Sequence, residues 1–167
     1  MKNEKMHAAL NKQINAELYS AYMYLSMAAY FEANNYKGFA KWMEIQAGEE
    51  QIHAMKFYKF LCNRGWPVVL TKIDAPETTW KSPLAAFQAA LDHEQKVTCM
   101  INNLVALAVD LKDYPSSSFL QWFIDEQVEE EANATEIVQK LLMIGENNPA
   151  GILMMDHHLG KRETESE

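Results

Sequence analysis

The sequence predicts an all-α protein: a four-helix bundle with one long crossover and a short fifth helix at its C-terminal end. Glycine and proline are scarce, at 6 and 5 of 167 residues, whereas sheet-rich proteins need frequent turn residues. Four long stretches are free of internal proline and nearly free of glycine, and clear turn signals separate them. Apolar residues in each stretch recur every three or four positions, which is the period of an amphipathic helix.

Local signals delimit five helices. The first ends at "NNYKG" and the second at "RGWP", where glycine and proline interrupt the helical pattern. Ser82 is expected to cap the third helix and Pro83 to open it, because both residue types favour those positions. Gly145 and Gly160 are expected to end the fourth and fifth helices. The expected spans are Glu4 to Asn34, Lys37 to Asn63, Pro83 to the segment "DYPSSS", Ser116 to Ile144 and Ala150 to Leu159.

The connections between the helices predict the topology. Short links join the first helix to the second and the third to the fourth, so each pair is expected to be antiparallel. The link from Arg64 to Lys81 is long enough to run the length of the bundle, which makes the third helix parallel to the second. One domain is expected, with the bundle over 1–145, the fifth helix over 146–160 and a disordered charged tail, "KRETESE", over 161–167.

Composition and charge exclude several classes of function. The net charge of −8 argues against nucleic-acid binding, which requires a basic face. The longest apolar runs fall far short of the ~20 residues of a membrane span, and the N-terminal "MKNEKMHAAL" has no apolar signal segment. Cys62 and Cys99 are isolated, which predicts two buried, reduced thiols. We therefore expect a cytoplasmic protein without membrane or nucleic-acid partners.

Each of the four long apolar stripes is interrupted by polar residues near the middle of its helix. These are Glu17 in the first helix, Gln46, Glu50 and His53 in the second, Glu94 in the third, and Gln127 and Glu130 in the fourth. A single residue of this kind is more often explained by a misjudged helix phase or by a side chain that reaches out to solvent. Four interruptions at matching depth instead predict one central polar layer in the bundle.

A metal site is the chemistry that such a layer predicts. Four carboxylates in an apolar core would be strongly destabilising and would repel one another. Two divalent cations that share carboxylates would neutralise the cluster and satisfy its oxygens. Carboxylates with one imidazole suit iron or manganese, and the absence of thiolates argues against structural zinc. Glu50 and His53, three positions apart on one helical face, are therefore expected to be ligands, with Glu50 bridging two metals.

The order of these motifs resembles the ferritin-like di-iron proteins, in which two helices each supply a Glu and two others supply a Glu-x-x-His motif. Here the fourth helix carries "EQVEEE", so Gln127-x-x-Glu130 stands in place of Glu-x-x-His. This departure and the second-helix segment "EIQAGEEQIHAMKFY" are similar to the bacterial non-haem ferritins. The resemblance covers nearly the whole chain and implies a ferritin-like bundle.

The resemblance also implies roles for individual residues. It implies a first iron site formed by Glu17, Glu50 and His53. A second iron site would use Glu50 and Glu94, with Glu130 as a further ligand. In this arrangement the bridging carboxylate comes from the second helix, as the position of Glu50 on its apolar stripe also predicts.

Further residues are implied around the iron pair. Gln127 would lie beside it, as a ligand or as a group that binds water or oxygen. Tyr24 would adjoin the pair and donate an electron, although a core tyrosine that hydrogen-bonds a ligand carboxylate fits its position equally well. The resemblance also implies a third iron site at a second acidic group, which would otherwise be a solvated helix face: Glu49, Glu126, Glu129 and Glu130.

Other features of the wider family are missing. Animal ferritins line their three-fold channels with acidic residues, whereas the matching positions here are Ser117 and Leu120. No haem is predicted, because Gln51 stands where bacterioferritins carry a haem-ligating methionine. His157 and His158 are expected to be surface histidines rather than metal ligands.

The function that the resemblance implies is iron storage with ferroxidase activity. Fe(II) would be oxidised by O2 or H2O2 and stored as ferric mineral inside a homo-oligomeric hollow shell of 24 subunits. A non-storage di-iron redox enzyme, such as a rubrerythrin-like peroxidase, is the alternative, but such enzymes normally carry a second Glu-x-x-His motif. A helical interaction scaffold would leave the central carboxylates unexplained.

Overall fold

The computed structural model describes residues 2–163 and contains five α-helices and no β-strand within that range. The all-α class and the predicted element order are confirmed. Ser82 caps the third helix as expected, since its side-chain oxygen accepts a hydrogen bond from the backbone N–H of Ala85 at 3.2 Å. The helices are α1 (Lys2–Ala33), α2 (Lys37–Asn63), α3 (Pro83–Asp110), α4 (Tyr114–Ile144) and α5 (Pro149–Leu159).

The long crossover between α2 and α3 runs along α1. His7 Nε2 lies 2.6 Å from the carbonyl oxygen of Pro67 near the start of the crossover, and Ser26 Oγ donates to the carbonyl of Glu77 at 2.6 Å nearer its end. The crossover thus follows α1 from its N-terminal half to its C-terminal half. It returns the chain to the end of the bundle where α2 began, so α3 runs parallel to α2, as the linker lengths predict.

Two apolar clusters fill the two ends of the bundle. One contains Phe31 and Phe39, whose ring centroids are 5.2 Å apart, and it extends to α5. The other contains Phe57 and Phe123, whose rings are 4.2 Å apart. Aromatic pairs at these separations contribute beyond the area that they bury. The polar residues that interrupt the apolar stripes belong to neither cluster, so the core is divided into two halves.

The short helix α5 packs tightly on the beginning of α2. The backbone N–H of Phe39 donates to Asp156 Oδ1 at 2.8 Å, so a side chain of α5 caps α2. Tyr36, the N-cap residue of α2, supplies no side-chain hydrogen bond of its own. Gly38 permits this contact, because a Cβ atom there would lie 1.7 Å from the carbonyl oxygen of Asp156.

Two sequence predictions differ from the structure. Cys62 and Cys99 are both exposed rather than buried. Val97 and Ile101 are buried on α3, and Cys99, two positions from each, falls on the opposite side of the helix. The prediction of buried thiols is therefore wrong.

Among the described residues, no helix is long and apolar enough to cross a membrane.

The C-terminal tail also departs from its prediction at its first two residues, whose backbone N–H groups donate to the carbonyls of His158 and Leu159. Arg162, in the segment expected to be disordered, donates hydrogen bonds to Gln46 at 2.8 Å and to Glu49 at 2.6 Å. The prediction does not hold for this residue, because two polar partners and an aromatic ring hold its side chain against α2. Residues 164–167, the remainder of the predicted tail, lie outside the described residues.

Candidate metal centre

The polar residues of the four stripes lie together inside the bundle. Each helix of the bundle contributes to this layer, and every member is at most 6 % exposed. Carboxylates are almost never this deeply buried unless they are paired or bind a metal. The members are Glu17, Gln46, Glu50, His53, Glu94, Gln127 and Glu130.

A first candidate metal group consists of Glu17, Glu50 and His53. Each offers one ligand atom, and these atoms lie within 4.8 Å of one another. Glu50 Oε2 is 3.3 Å from His53 Nδ1, one helical turn along α2. Gln13 Nε2 donates to Glu17 Oε1 at 2.8 Å. Within the described part of the chain, Glu17 Oε2 is buried without a hydrogen-bond partner. A buried oxygen left in this state is what a metal ion would satisfy.

Glu94 is held from two sides. Tyr24 donates a short hydrogen bond from its hydroxyl group to Glu94 Oε1, and Gln127 Nε2 donates to Glu94 Oε2 at 3.2 Å. Burial, together with the charge of Glu94, raises the pKa of Tyr24 well above its ordinary value, so the phenol keeps its proton and acts as a donor. This geometry matches the interpretation of Tyr24 as a core tyrosine that hydrogen-bonds a ligand carboxylate. Electron donation by Tyr24 stays a prediction.

A second candidate metal group consists of His53, Glu126 and Glu130, whose ligand atoms also lie within 4.8 Å of one another. His53 Nε2 is 3.6 Å from Glu126 Oε1. Gln46 Nε2 donates a short hydrogen bond to Glu130 Oε2. His53 therefore faces one acidic residue with each ring nitrogen: Glu50 through Nδ1 and Glu126 through Nε2. The sequence and its family resemblance predict a role for His53 at the first site alone.

The four residues expected to form a third iron site are only partly brought together. Glu126 and Glu130 approach each other and His53. Glu49 belongs to neither candidate metal group among the described residues, and its Oε2 accepts a hydrogen bond from Arg162 at 2.6 Å. Glu129 is exposed. Of the four residues, the structure thus places two in a candidate metal group and one in an ion pair with Arg162.

Two residues make contacts at the site that the sequence does not predict. Gln46 lies on the apolar stripe of its helix and belongs to the predicted polar layer, and in the structure it donates a hydrogen bond to Glu130. Arg162 lies 113 positions beyond Glu49 in the chain. No periodic pattern relates residues at such a separation, so only the packing of α5 on α2 could reveal this contact.

Burial dominates the electrostatics of the metal-free centre. It raises the pKa of the central carboxyl groups above their ordinary value, because the apolar surroundings penalise the charged form. For Glu50 the rise is large, and the charges of Glu94 and Glu17 add to it. The pKa of Glu130 is raised to about 8. The same direction applies to Glu17 and Glu94.

His53 behaves as a positive partner for these carboxylates. Burial by itself would lower the pKa of its imidazole, but the hydrogen bonds to Glu126 and Glu50 outweigh burial and raise it to about 11. In the metal-free protein, protons on His53 and on the carboxyl groups therefore balance the negative charge. Metal ions would replace these protons, because ligands must lose them to coordinate.

We expect the metal-free protein to lose stability as the pH rises from about 6.5 to 8.5. The raised pKa of Glu130 adds to the free energy of unfolding. This addition is complete below the ordinary pKa of 4.5 and is lost as the pH rises through about 8. The contribution of His53 is complete below 6.5 and declines as the pH rises toward about 11. Burial lowers the pKa of His93 to about 4, so His93 makes the protein more stable as the pH rises. This gain is already complete above pH 6.5, so it does not offset the decline.

The measurement is the thermal midpoint of the metal-free protein at several pH values and one ionic strength. The Glu130→Gln variant should show a shallower decline, and a bound divalent metal should remove the decline. A midpoint that stays constant or rises over this range would contradict the protonated state of the centre.

Comparison with known proteins identifies the family of this chain. Residues 7–144 match the family described as the ferritin-like domain. The chain is 41 % identical over 162 residues to a bacterial non-heme ferritin of Bacteroides fragilis, covering 97 % of this chain and 100 % of the relative. It is 38 % identical to a bacterial non-heme ferritin of Staphylococcus aureus, with full coverage of both chains.

Solved structures give the same result. The open-pore ferritin of the hyperthermophilic archaeon Archaeoglobus fulgidus superposes with a TM-score of 0.94 at 50 % identity, covering 96 % of this chain and 98 % of that chain. An engineered closed form of the Archaeoglobus fulgidus ferritin superposes with a TM-score of 0.95 at the same identity. The resemblance indicated by the Glu-x-x-His and Gln-x-x-Glu motifs is confirmed, and the chain belongs to the ferritin family.

Proposed function

We propose that the protein is an iron-storage ferritin with ferroxidase activity. It oxidises Fe(II) with O2 or H2O2 at the central carboxylate–histidine layer and stores the Fe(III) as mineral inside a hollow shell of 24 identical subunits. The observation that carries this proposal is the group of Glu17, Glu50 and His53, in which a buried carboxylate oxygen has no hydrogen-bond partner among the described residues.

The proposed ligands divide into two sets around Glu50. Glu17 and His53 hold one Fe(II) with Glu50, and Glu94 and Glu130 hold the second with the same bridging carboxylate. Iron, as the substrate, supplies the electrons for the oxidant. The protein binds both ions in a water-poor layer, and the carboxyl groups release the protons that the ions displace.

Tyr24 and Gln127 both hydrogen-bond the carboxylate of Glu94. Each donates a hydrogen bond to a different oxygen of that carboxylate. Such partners orient a ligand and tune its basicity. Gln127 also donates to Thr98 Oγ1 at 3.2 Å.

We propose a third iron site beside the pair, with Glu126 and Glu130 as its main ligands. Their approach to His53 supports this site. Glu49 completes the site only when its carboxylate is available to the metal. Glu129, which is exposed, is proposed as a further ligand of this site.

Assembly into a shell is supported by apolar side chains that this chain leaves uncovered. Tyr22 and Leu25 of α1 are 50 % and 52 % exposed, and Leu70 of the crossover is 65 % exposed. Near the junction of α4 and α5, Met143 and Met154 are 79 % and 74 % exposed. Exposed apolar groups of this kind mark contact surfaces, and further copies of the chain would cover them.

Aerobic loading with Fe(II), followed by sizing of the protein, tests the proposed function. We expect a large hollow particle that retains many more iron atoms per subunit than the two of a di-iron centre. The reason is that the ferric mineral would grow in the interior of the shell, so its size is not limited by the number of ligand side chains. About two iron atoms per subunit in a small particle would instead indicate a di-iron redox enzyme, and none would indicate a scaffold.

A further inference from the structure

The chain after α5 continues along α2 toward the metal centre. Asp156 accepts from the backbone of Phe39, and Lys41 Nζ donates to the carbonyl oxygen of Gly160 at 3.0 Å. The backbone N–H of Arg162 then donates to the carbonyl of Leu159 at 3.1 Å, which continues the turn beyond the helix. These contacts place the side chain of Arg162 beside the middle of α2.

The guanidinium group of Arg162 binds two side chains of α2. Its Nη2 donates to Glu49 Oε2 at 2.6 Å, and its Nη1 donates to Gln46 Oε1 at 2.8 Å. The group also lies 4.8 Å from the centroid of the Trp42 ring. The side chains of Arg162 and Glu49 are 22 % and 20 % exposed, so the ion pair is partly screened from water. A planar guanidinium group is well suited to bind two acceptors at once.

Gln46 connects this ion pair with the second candidate metal group. Its Oε1 accepts from Arg162, and its Nε2 donates to Glu130 Oε2. An amide side chain carries one acceptor oxygen and one donor nitrogen, so the hydrogen bond from Arg162 fixes which of them faces Glu130. Arg162 therefore acts on Glu49 directly and on Glu130 through Gln46.

We propose that Arg162 is a positioning residue that competes with the third iron ion for Glu49. In the metal-free protein the guanidinium group holds Glu49 in an ion pair, and a third Fe(II) that binds this carboxylate displaces the guanidinium group. This proposal rests on the third iron site of the proposed function. Two cations cannot share the same carboxylate without mutual repulsion, so each weakens the binding of the other. The ion at the third site is thereby held weakly, and it passes readily to the mineral.

Anaerobic calorimetric titration of the assembled protein with Fe(II) tests the competition. We expect the third Fe(II) to bind at least ~5-fold more tightly in Arg162→Ala than in the wild type, a coupling of ordinary size between two sites. Arg162→Lys should fall between the two, because one ammonium group can pair with Glu49 but lacks the fork that also reaches Gln46.

A control variant separates this effect from the loss of a nearby positive charge. Lys161→Ala removes an exposed positive charge next to Arg162. It should bind the third Fe(II) as the wild type does. An equal gain in this control would overturn the proposal.

Hydrogen exchange provides a second measurement that does not depend on oxidation. Because the coupling is reciprocal, amides of residues 160–163 should exchange faster once a third equivalent of Fe(II) is bound. Unchanged exchange at these amides with the third site filled would overturn the displacement of Arg162.

The outcomes also separate this inference from the third site itself. A third Fe(II) in the wild type whose affinity is equal or lower in Arg162→Ala would refute the competition and leave the third site intact. Two Fe(II) in both proteins would refute the third site and the competition together. Two in the wild type and three in Arg162→Ala would support the competition in its strongest form.

Discussion

Replacing Glu50 with alanine is expected to abolish rapid oxidation of Fe(II) while the fold persists. Glu50 is the proposed bridging ligand, so its loss weakens both iron positions. The loss of rate should exceed the roughly 10- to 100-fold effect that follows removal of a group that only supports a ligand. The measurement is the initial rate of Fe(II) oxidation in air, with the thermal midpoint of the metal-free protein as the test of folding.

The metal-free Glu50→Ala protein should keep or increase its stability. Burial, together with the charges of Glu94 and Glu17, disfavours the ionised form of Glu50 more than the hydrogen bond and charge of His53 favour it, so its pKa is raised. The variant removes this unfavourable group. The cavity that remains offsets part of the gain. Glu44→Ala, an exposed position on the same helix, is the matched control and should oxidise Fe(II) at the wild-type rate. A wild-type rate in Glu50→Ala would refute the assignment of the centre.

Replacing Gly38 with alanine is expected to destabilise the protein by about 1–3 kcal/mol, the usual effect of forcing an extra methyl group into a packed contact. The added Cβ would lie 1.7 Å from the backbone carbonyl oxygen of Asp156. A backbone atom cannot move aside as a flexible side chain can, so α5 must shift away from α2. That shift also lengthens the hydrogen bond by which Asp156 caps α2. Thermal unfolding of the assembled protein measures the effect.

Gly48 provides an internal control for the same substitution on the same helix. A Cβ atom at Gly48 would meet no atom within 4 Å among the described residues. Alanine is favoured over glycine inside a helix by about 1 kcal/mol, so Gly48→Ala should stabilise the protein. The two substitutions are therefore predicted to have opposite signs. A Gly38→Ala protein as stable as the wild type would show that α5 is not packed closely on α2.

The sequence by itself determined the helices and the depth of the polar layer. Helix ends follow from local chemistry, such as the Ser82 cap, which involves only neighbouring residues. The placement of Glu17, Glu50, His53 and Glu94 inside the bundle follows from the helical period, because a residue on an apolar stripe shares the direction of that stripe. Capping residues and the helical period can each be identified from the sequence of a single helix.

Only the tertiary structure decided which polar groups face one another. His53 contacts Glu126 of α4 as well as Glu50 of its own helix, and Glu49 pairs with Arg162, which lies 113 residues away in the chain. The helical period gives the direction of each side chain from its own axis, but not the rotation and spacing of neighbouring helices. The rotation and spacing of the helices depend on side-chain packing, for example at Gly38, which allows α5 to approach α2. This packing determines which carboxylates are available to a metal ion.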